Sequence, residues 1–349
     1  MNSKVKIKEF NPSGVGLKND NFIGLPFTEE SAQLVIIPIP WDVTVSYGEG
    51  TALAPSAILE ASSQLDLLDP YIEEAWKMGI FMKPEKKEIR KKRDELRKKA
   101  SAYIHFIEHG GHVAEDSTME QYLAEMNTGC QWLNDQVYAL TNKEIVNGKV
   151  VGIVGGDHSV PLGYIQALAE NYKEFGILQI DAHLDLRKNY EGFTFSHASV
   201  FHHILNQEAV TKLVAVGIRD YCEEEMERVE SEEDRISVYF DQKLKENRFN
   251  GKTWNVQCGE IIEKLPEQVY ISFDIDGLDP KLCPHTGTPV PGGLDFPEAV
   301  YLLKRLTESG RRIIGFDVCE TGNNEWDANV AARIIYKICN LTGRSQGLI

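Results

Sequence analysis

The sequence lacks paired cysteines and long apolar runs. Its six cysteines are scattered over 349 residues without a Cys-x-x-Cys pair, a pattern that predicts neither a disulfide framework nor a structural zinc site. No apolar stretch approaches the roughly 20 residues that a membrane-spanning helix needs. The first residues lead into polar sequence without the apolar core of a signal peptide. We therefore expect a soluble, cytoplasmic protein with no membrane partner.

The chain also lacks an excess of basic residues. It carries 53 acidic residues against 37 lysines and arginines, for a formal net charge of −16. An acidic surface disfavours nucleic acid and anionic lipid, and it favours a small cationic substrate. Hydrophobic residues make up 42% of the chain and charged residues 26%, which argues against extensive disorder. The length is sufficient for one large α/β domain or two ordinary domains.

Apolar, β-branched runs alternate with helix-length segments along most of the chain. Near-continuous apolar strands separated by helices predict a mostly parallel sheet with helices on both faces, an α/β fold of three layers, α-β-α. The candidate strands are residues 34–39, 150–154, 176–180, 212–216, 238–240, 268–273 and 312–316. The candidate helices are residues 55–68, 83–100, 119–141, 161–172, 198–205, 222–230, 256–265 and 297–309.

The chain shows no internal repeat and no Pro/Gly/Ser-rich linker. We therefore predict a single domain over residues 1–349. Residues 1–30 are polar and rich in glycine and asparagine, which predicts an N-terminal arm that lies over the surface of this domain.

Three short segments that carry His and Asp directly follow apolar runs, at residues 155–159, 181–185 and 274–280. Open parallel sheets bind ligands beyond the carboxyl ends of their strands, so we expect the three segments to meet at one sheet edge. In the second segment, extended backbone would place Asp181, His183 and Asp185 on one side of the chain. Burying these groups unpaired would cost several kcal/mol each, and a bound cation removes that cost.

The third segment repeats this spacing with Asp274 and Asp276, whose carboxylates repel each other unless a cation lies between them. Asp279 is interpreted as a turn residue, because glycine and proline flank it. Oxygen ligands with a minority of nitrogens suit Mn(II) better than an ion that prefers thiolates. Together the three segments predict a site for two divalent cations, as in a binuclear hydrolase. The candidate ligands are His158, Asp181, His183, Asp185, Asp274 and Asp276.

These segments resemble the ureohydrolase family of arginases, agmatinases and formiminoglutamases. The resemblance covers roughly residues 33–340 and includes residues 47–58, which are similar to the family's Gly…Gly-Pro-x-x-Ile segment. It implies an arginase-like fold, a homo-oligomer (trimer or hexamer) and two Mn(II) ions per subunit, with Ni(II) as the alternative. The implied ligand sets are His158 and Asp185 for one ion, His183 and Asp276 for the other, and Asp181 and Asp274 as bridges.

The resemblance also implies three catalytic residues. Glu320 would hold the guanidinium group of the substrate, since a carboxylate can pair with that planar cation through two hydrogen bonds. Asp185 would transfer a proton from the attacking hydroxide to the departing amine, and His197 would exchange protons with solvent. By sequence alone, Glu320 is a surface residue at a strand end and His197 is an ordinary residue at a helix start.

The loop 185–197 lacks the Asn- and Thr/Ser-rich run by which arginases bind an α-amino carboxylate, and it resembles the corresponding agmatinase loop. This resemblance favours agmatine as substrate, with putrescine and urea as products. Glu191 either attracts the far cation of the substrate or is solvated. Residues 321–327 depart from the Val/Ile-Asn/Ser-Pro of relatives, which leaves formiminoglutamate, guanidinobutyrate and guanidine with nickel as alternatives.

A helical insert around residues 83–135 is longer than in simple members of the family. We interpret it as a solvated or oligomer-contacting segment, with a lid over the pocket as the alternative. A calcineurin-like phosphoesterase would need later His motifs, but only His285 follows His203. A single-zinc deacetylase would not need six ligands. A metal-binding homologue without turnover is the non-enzyme alternative, and the presence of Glu320 and His197 argues against it.

Overall fold

One parallel sheet contains every strand in the computed structural model, which describes residues 7–349. Its strands are β1 Leu34–Ile39, β2 Ile80–Met82, β3 Val150–Gly155, β4 Phe175–Ile180, β5 Val210–Ile218, β6 Ile236–Phe240, β7 Gln268–Asp274 and β8 Arg312–Cys319. Their spatial order is β2-β1-β3-β8-β7-β4-β5-β6, and every neighbouring pair is parallel. The predicted parallel α/β sheet is confirmed.

Helices cover both faces of this sheet. They are α1 Ala54–Ser62, α2 Lys87–Glu108, α3 Ser117–Val146, α4 Leu162–Asn171, α5 Val200–Ile204, α6 Glu223–Ser231, α7 Asp241–Phe249, α8 Trp254–Glu263, α9 Phe296–Glu308 and α10 Glu325–Ser345. Alternate residues of β1 enter different cores: Leu34 and Ile36 pack with α1, α9 and α10, whereas Val35 and Ile37 pack with α2, α3 and α4. The predicted three-layer architecture is therefore confirmed. None of the described helices combines the length and apolar character required to cross a bilayer.

The strand order explains why distant motifs meet. The chain passes from β3 to β4, which lies three positions away, and β7 and β8 later fill the gap between them. Registers place Ile180 beside Phe273 and Asp274 beside Cys319, so neighbouring strands end at nearly the same level. The carboxyl ends of β3, β8, β7 and β4 thus form one continuous edge at the centre of the sheet, where α/β proteins bind their ligands.

Three elements lie outside the predicted set. Strand β2 has only three residues, too few to show a period. Helix α7 is short and polar and buries only Asp241 and Leu244. Helix α10 follows β8, packs against both α1 and β8 and is buried over most of its length.

The N-terminal segment divides into an exposed and a buried part. Residues 1–6 of the predicted arm lie outside the described residues, and residues 11–20 are exposed. From Asn21 the chain is buried. The Asn21 carboxamide donates to Ile80 O at 3.1 Å and accepts from Met82 N at 2.8 Å, so it covers the free edge of β2.

The predicted helical insert corresponds to α2 and most of α3. These two helices pack against each other and against one face of the sheet. The sheet and its two flanking cores are formed by residues from most of the described chain, and the single domain stays a prediction.

The packing of α3 on α4 predicts a matched pair of stability effects. A Cβ at Gly163 in α4 would lie 2.1 Å from Asn134 O in α3, whereas a Cβ at Gly259 in α8 would meet nothing within 4 Å. Gly163→Ala should therefore lower the free energy of unfolding by about 2–3 kcal/mol through overpacking. Gly259→Ala should raise it by about 1 kcal/mol through helix propensity. Urea denaturation measures both, and a fully stable Gly163→Ala variant would contradict this close packing.

Candidate metal centre

The loops after β3, β4 and β7 bring all six predicted ligands into one cluster. His158 Nδ1 lies 3.0 Å from Asp181 Oδ2, 3.0 Å from Asp185 Oδ2 and 3.3 Å from Asp274 Oδ2. All four side chains are buried. One imidazole nitrogen and three carboxylates thus converge within hydrogen-bonding distance, which is a ligand set suited to a hard divalent cation.

A second group of ligands lies next to the first and shares Asp181 with it. His183 Nδ1 lies 3.1 Å from Asp276 Oδ2 and 3.7 Å from Asp181 Oδ1. Asp181 therefore presents one carboxylate oxygen to His158 and the other to His183. Two triads could each hold a metal ion here, one of His158, Asp181 and Asp185 and one of Asp181, His183 and Asp276; a third such triad joins His158 to Asp317 and Cys319. Asp181 belongs to both of the first two triads, and Asp274 lies beside His158.

The backbone places the second motif differently from the prediction. Strand β4 ends at Ile180, so an extended chain through Asp185 is wrong. Asp181 Oδ1 instead accepts a hydrogen bond from His183 N at 2.7 Å, which turns the chain. Asp185 then adopts a left-handed φ of 54°, a conformation that is strained for a residue other than glycine. This strained backbone carries the Asp185 side chain back to His158.

Backbone hydrogen bonds tie the β4 and β7 loops together. Asp274 Oδ1 accepts from Asp276 N at 2.8 Å, and Asp276 Oδ1 accepts from Ala182 N at 3.0 Å. Arg219 donates to Asp276 O at 2.6 Å. The sequence analysis missed this arginine, although it directly follows β5. Asp279 lies outside the cluster, where its side chain accepts from a neighbouring backbone amide.

The hydrogen-bonding pattern of His158 fits a metal ligand. Its Nε2 lies 2.9 Å from Ser272 Oγ, which leaves Nδ1 for the carboxylate side. Nδ1 is buried and has no hydrogen-bond partner of good geometry. A metal-ligating histidine usually forms a hydrogen bond through one ring nitrogen, which fixes the orientation of the ring, and binds the metal through the other. The residues present therefore fit bound divalent cations.

The electrostatics of the cluster show the cost of gathering these side chains. Burial and the neighbouring Asp276 and Asp181 raise the pKa of Asp274 well above its usual range. Burial and Asp181 raise the pKa of Asp185 to about 7. Burial would lower the pKa of His183, but Asp276 and Asp181 raise it to about 12. The buried carboxylates repel each other, so without cations they can stay buried only by sharing protons. Bound cations would remove this repulsion.

Glu320 lies at the end of β8 beside the ligands. Its Oε1 accepts from His158 N at 2.9 Å, and its Oε2 is buried without a partner. Its φ is 59°, again left-handed. Burial and the nearby Asp157 raise the pKa of Glu320 well above its usual range. An unpaired buried carboxylate oxygen of this kind can pair with a cationic group.

His197 lies in a 3-10 turn on the other side of the cluster. Its ring contacts that of Tyr190 edge-on, with centroids 5.9 Å apart. Burial, together with His183 and His158, lowers the pKa of His197 to about 3. This lowered pKa keeps the imidazole neutral at pH 7.

A cavity of about 160 Å³ connects these groups. The predicted loop contributes Arg187 and Tyr190 to its wall, whereas Glu191 is not among the lining residues. Five further lining residues were not predicted: Ser46, Asp220, Tyr221, Glu225 and Thr288. Asp220 had a detectable signal, since it lies two residues beyond the apolar strand β5.

A family model described as the arginase family matches residues 32–340. The chain belongs to the arginase family. It is 31% identical over 323 residues to the N(1)-aminopropylagmatine ureohydrolase of Thermus thermophilus, covering 91% of this chain and 93% of the relative. It is 28% identical over 325 residues to the agmatinase of Pyrococcus horikoshii, covering 90% and 94%.

Solved structures show the same fold. The agmatine ureohydrolase of Thermoplasma volcanium superposes with a TM-score of 0.71 at 23% identity, covering 95% of this chain and 97% of that one. The arginase of Bacillus subtilis superposes with a TM-score of 0.62 at 20% identity, covering 88% and 98%. The predicted family, its fold and its enzyme class, a ureohydrolase, are confirmed.

Proposed function

We propose that this protein is a binuclear manganese hydrolase that releases urea from a guanidino amine, namely agmatine or its N(1)-aminopropyl derivative. The observation that carries the proposal is the position of Glu320. Glu320 lines the same cavity as His158, His183 and Asp185, and one of its carboxylate oxygens is buried without a partner. A guanidinium group held there would have its central carbon next to the metal ligands.

The ligands form two sets, and each set would hold one ion. His158, Asp181, Asp185 and Asp274 would hold one, and Asp181, His183 and Asp276 would hold the other. When bound, the ions would lower the pKa of a water from about 15.7 to about 7 and so supply hydroxide at neutral pH. The oxygen-rich ligand sets favour Mn(II), with Ni(II) as the alternative.

The protein's own groups bind the substrate and move protons. Glu320 orients the guanidinium by a charge-assisted pair. Asp185 lines the cavity, so it can pass a proton to the departing amine. His197 is also in the cavity wall, and the resemblance to the family implies that it exchanges a proton with solvent.

The charges of the cavity support a substrate with a cationic tail. Asp220 belongs to its wall and its side chain is 68% exposed, whereas Glu225 is buried there and accepts from Leu186 N and Cys222 N. The guanidinium of Arg187 lies over the ring of Tyr190, 5.2 Å from its centroid. The exposed Asp220 carboxylate at the cavity attracts an ammonium group and repels a carboxylate. Agmatine and its aminopropyl derivative end in ammonium groups, whereas arginine, guanidinobutyrate and formiminoglutamate carry a carboxylate.

Release of urea from a panel of compounds tests the proposal. With Mn(II) supplied, agmatine and N(1)-aminopropylagmatine should have kcat/KM values roughly a hundredfold above those of arginine and guanidinobutyrate, because like charges at a binding site cost several kcal/mol. Formiminoglutamate, assayed by ammonia release, should be equally poor. Preference for a carboxylate-tailed compound would contradict the proposal, as would turnover of guanidine alone with Ni(II).

Asp220→Asn provides a matched variant for the tail. It should reduce the preference for the amine-tailed substrates while leaving the metal content unchanged. Asp234→Asn is the control, because Asp234 precedes β6 and so lies at the amino ends of the strands, whereas the cavity lies at their carboxyl ends. An equal effect of both substitutions would show that Asp220 does not recognise the amine tail of the substrate.

A cytoplasmic location and a homo-oligomer, trimer or hexamer, belong to the same proposal. All six cysteines are free, which suits a reducing compartment. The assembly rests on the resemblance to the family and can be measured by analytical ultracentrifugation.

A further inference from the structure

The loop between the metal ligands and His197 contains a tight turn. Tyr190 N donates to Phe193 O at 3.1 Å, and Phe193 N donates to Tyr190 O at 2.8 Å. The two central residues, Glu191 and Gly192, have φ values of 53° and 83°, as in a type I′ turn. This conformation suits glycine but is strained for glutamate. Surrounding structure must therefore hold the turn in place.

Two side chains of the α2–α3 hairpin bind the backbone of this turn. The Asn127 carboxamide in α3 donates through Nδ2 to Gly192 O at 3.2 Å and accepts through Oδ1 from Thr194 N at 2.8 Å. It thus bonds the loop as a neighbouring strand would. In α2, the Tyr103 hydroxyl donates to Glu191 O at 2.9 Å.

Packing reinforces these hydrogen bonds. The rings of Tyr103 and Phe193 lie 5.4 Å apart and are both buried. A Cβ at Gly192 would lie only 2.9 Å from the Tyr103 hydroxyl, so the turn is pressed against α2. On the other side, Thr194 O lies 2.7 Å from His203 Nε2. The turn is therefore held between the hairpin and α5.

Both ends of the turn reach the cavity. Tyr190 begins it and lines the cavity, and His197, four residues beyond Phe193, contacts the Tyr190 ring. We propose that Asn127 and Tyr103 are positioning residues that set Tyr190 and His197 at the active site. The α2–α3 hairpin is then a functional support of the catalytic loop rather than a solvated insert or a lid. As far as it concerns turnover, this inference rests on the proposed function.

Two substitutions, each with a control on α3, test the inference. Asn127→Ala removes both bonds to the loop, and Tyr103→Phe removes the hydroxyl but keeps the ring. Gln131→Ala and Tyr138→Phe are the controls, since these side chains pair with Asp135 and Glu170 away from the loop. Asn127→Ala should lower kcat/KM for the best guanidino substrate by roughly ten- to a hundredfold, because small misplacements of catalytic groups have effects of this size.

The accompanying measurements separate positioning from general damage. Metal content and the urea midpoint of Asn127→Ala should stay within the range of the controls. Both KM and kcat should change, because Tyr190 forms part of the cavity wall that substrate would contact and His197 is the proposed proton-exchanging group. Hydrogen exchange at the Thr194 amide should become roughly fivefold faster, as expected for one lost hydrogen bond. Exchange and kcat/KM that match Gln131→Ala would overturn the inference, as would an activity loss that follows loss of metal.

Hydrogen exchange also keeps this test distinct from that of the proposed function. If the wild-type protein released no urea from any guanidine, the proposed function would fail. Faster exchange of residues 190–197 in Asn127→Ala and Tyr103→Phe would still support the positioning of the loop, and unchanged exchange would still refute it.

Discussion

Changing Asp181 to asparagine should lower urea release by roughly 10³-fold or more. Asp181 offers Oδ2 to His158 and Oδ1 to His183, so both ligand triads depend on it. Asparagine keeps the shape of the side chain but has one oxygen and no charge, so it cannot serve both triads. Without the ions, a water keeps its pKa of about 15.7 and little hydroxide forms at neutral pH.

Elemental analysis of the same preparation shows whether the metal is the cause. Wild-type protein supplied with Mn(II) should hold two ions per chain, and the Asp181→Asn variant one or none. Asp279→Asn is the control, since Asp279 lies on the β7 loop but outside the cluster. An Asp181→Asn variant that kept two ions and full activity would refute the binuclear centre.

The second large effect is expected from Glu320→Gln. A buried carboxylate paired with a guanidinium contributes about 2–5 kcal/mol relative to the broken pair, so kcat/KM should fall roughly 30- to 5,000-fold. Glutamine Oε1 can still accept the hydrogen bond that His158 N now donates to Glu320. The metal content should therefore remain that of the wild type.

Glu325→Gln controls for the loss of a negative charge near β8. Glu325 lies five residues further along the chain, at the exposed start of α10. The Glu325→Gln substitution should leave kcat/KM unchanged. Equal activity of Glu320→Gln and wild type would show that another group binds the guanidinium, whereas a loss of metal in Glu320→Gln would assign Glu320 to the metal centre instead.

Local pattern predicted the layers of the fold and the side chains that cluster at the centre of the sheet edge. Apolar runs such as Leu213–Val216 are recognisable because a strand buried on both faces needs apolar side chains. The charged residues that follow, Asp181 and Asp274 among them, stand out because burial of a carboxylate requires compensation. The strand β2 was not predicted because three residues are too few to show a period. The helix α10 was not predicted either, although its buried residues recur at helical spacing.

The sequence by itself determined the alternation of strands and helices and the kinds of side chain that follow each strand, because both are local properties of hydrophobicity and charge. Only the tertiary structure decided that β8 and β7 lie between β3 and β4, which brings Glu320 within 2.9 Å of the His158 backbone across 162 residues. It also decided the left-handed backbone of Asp185 and the contact of Asn127 with the catalytic loop. Such features depend on packing between distant segments, and no periodicity in the chain encodes which segments will meet.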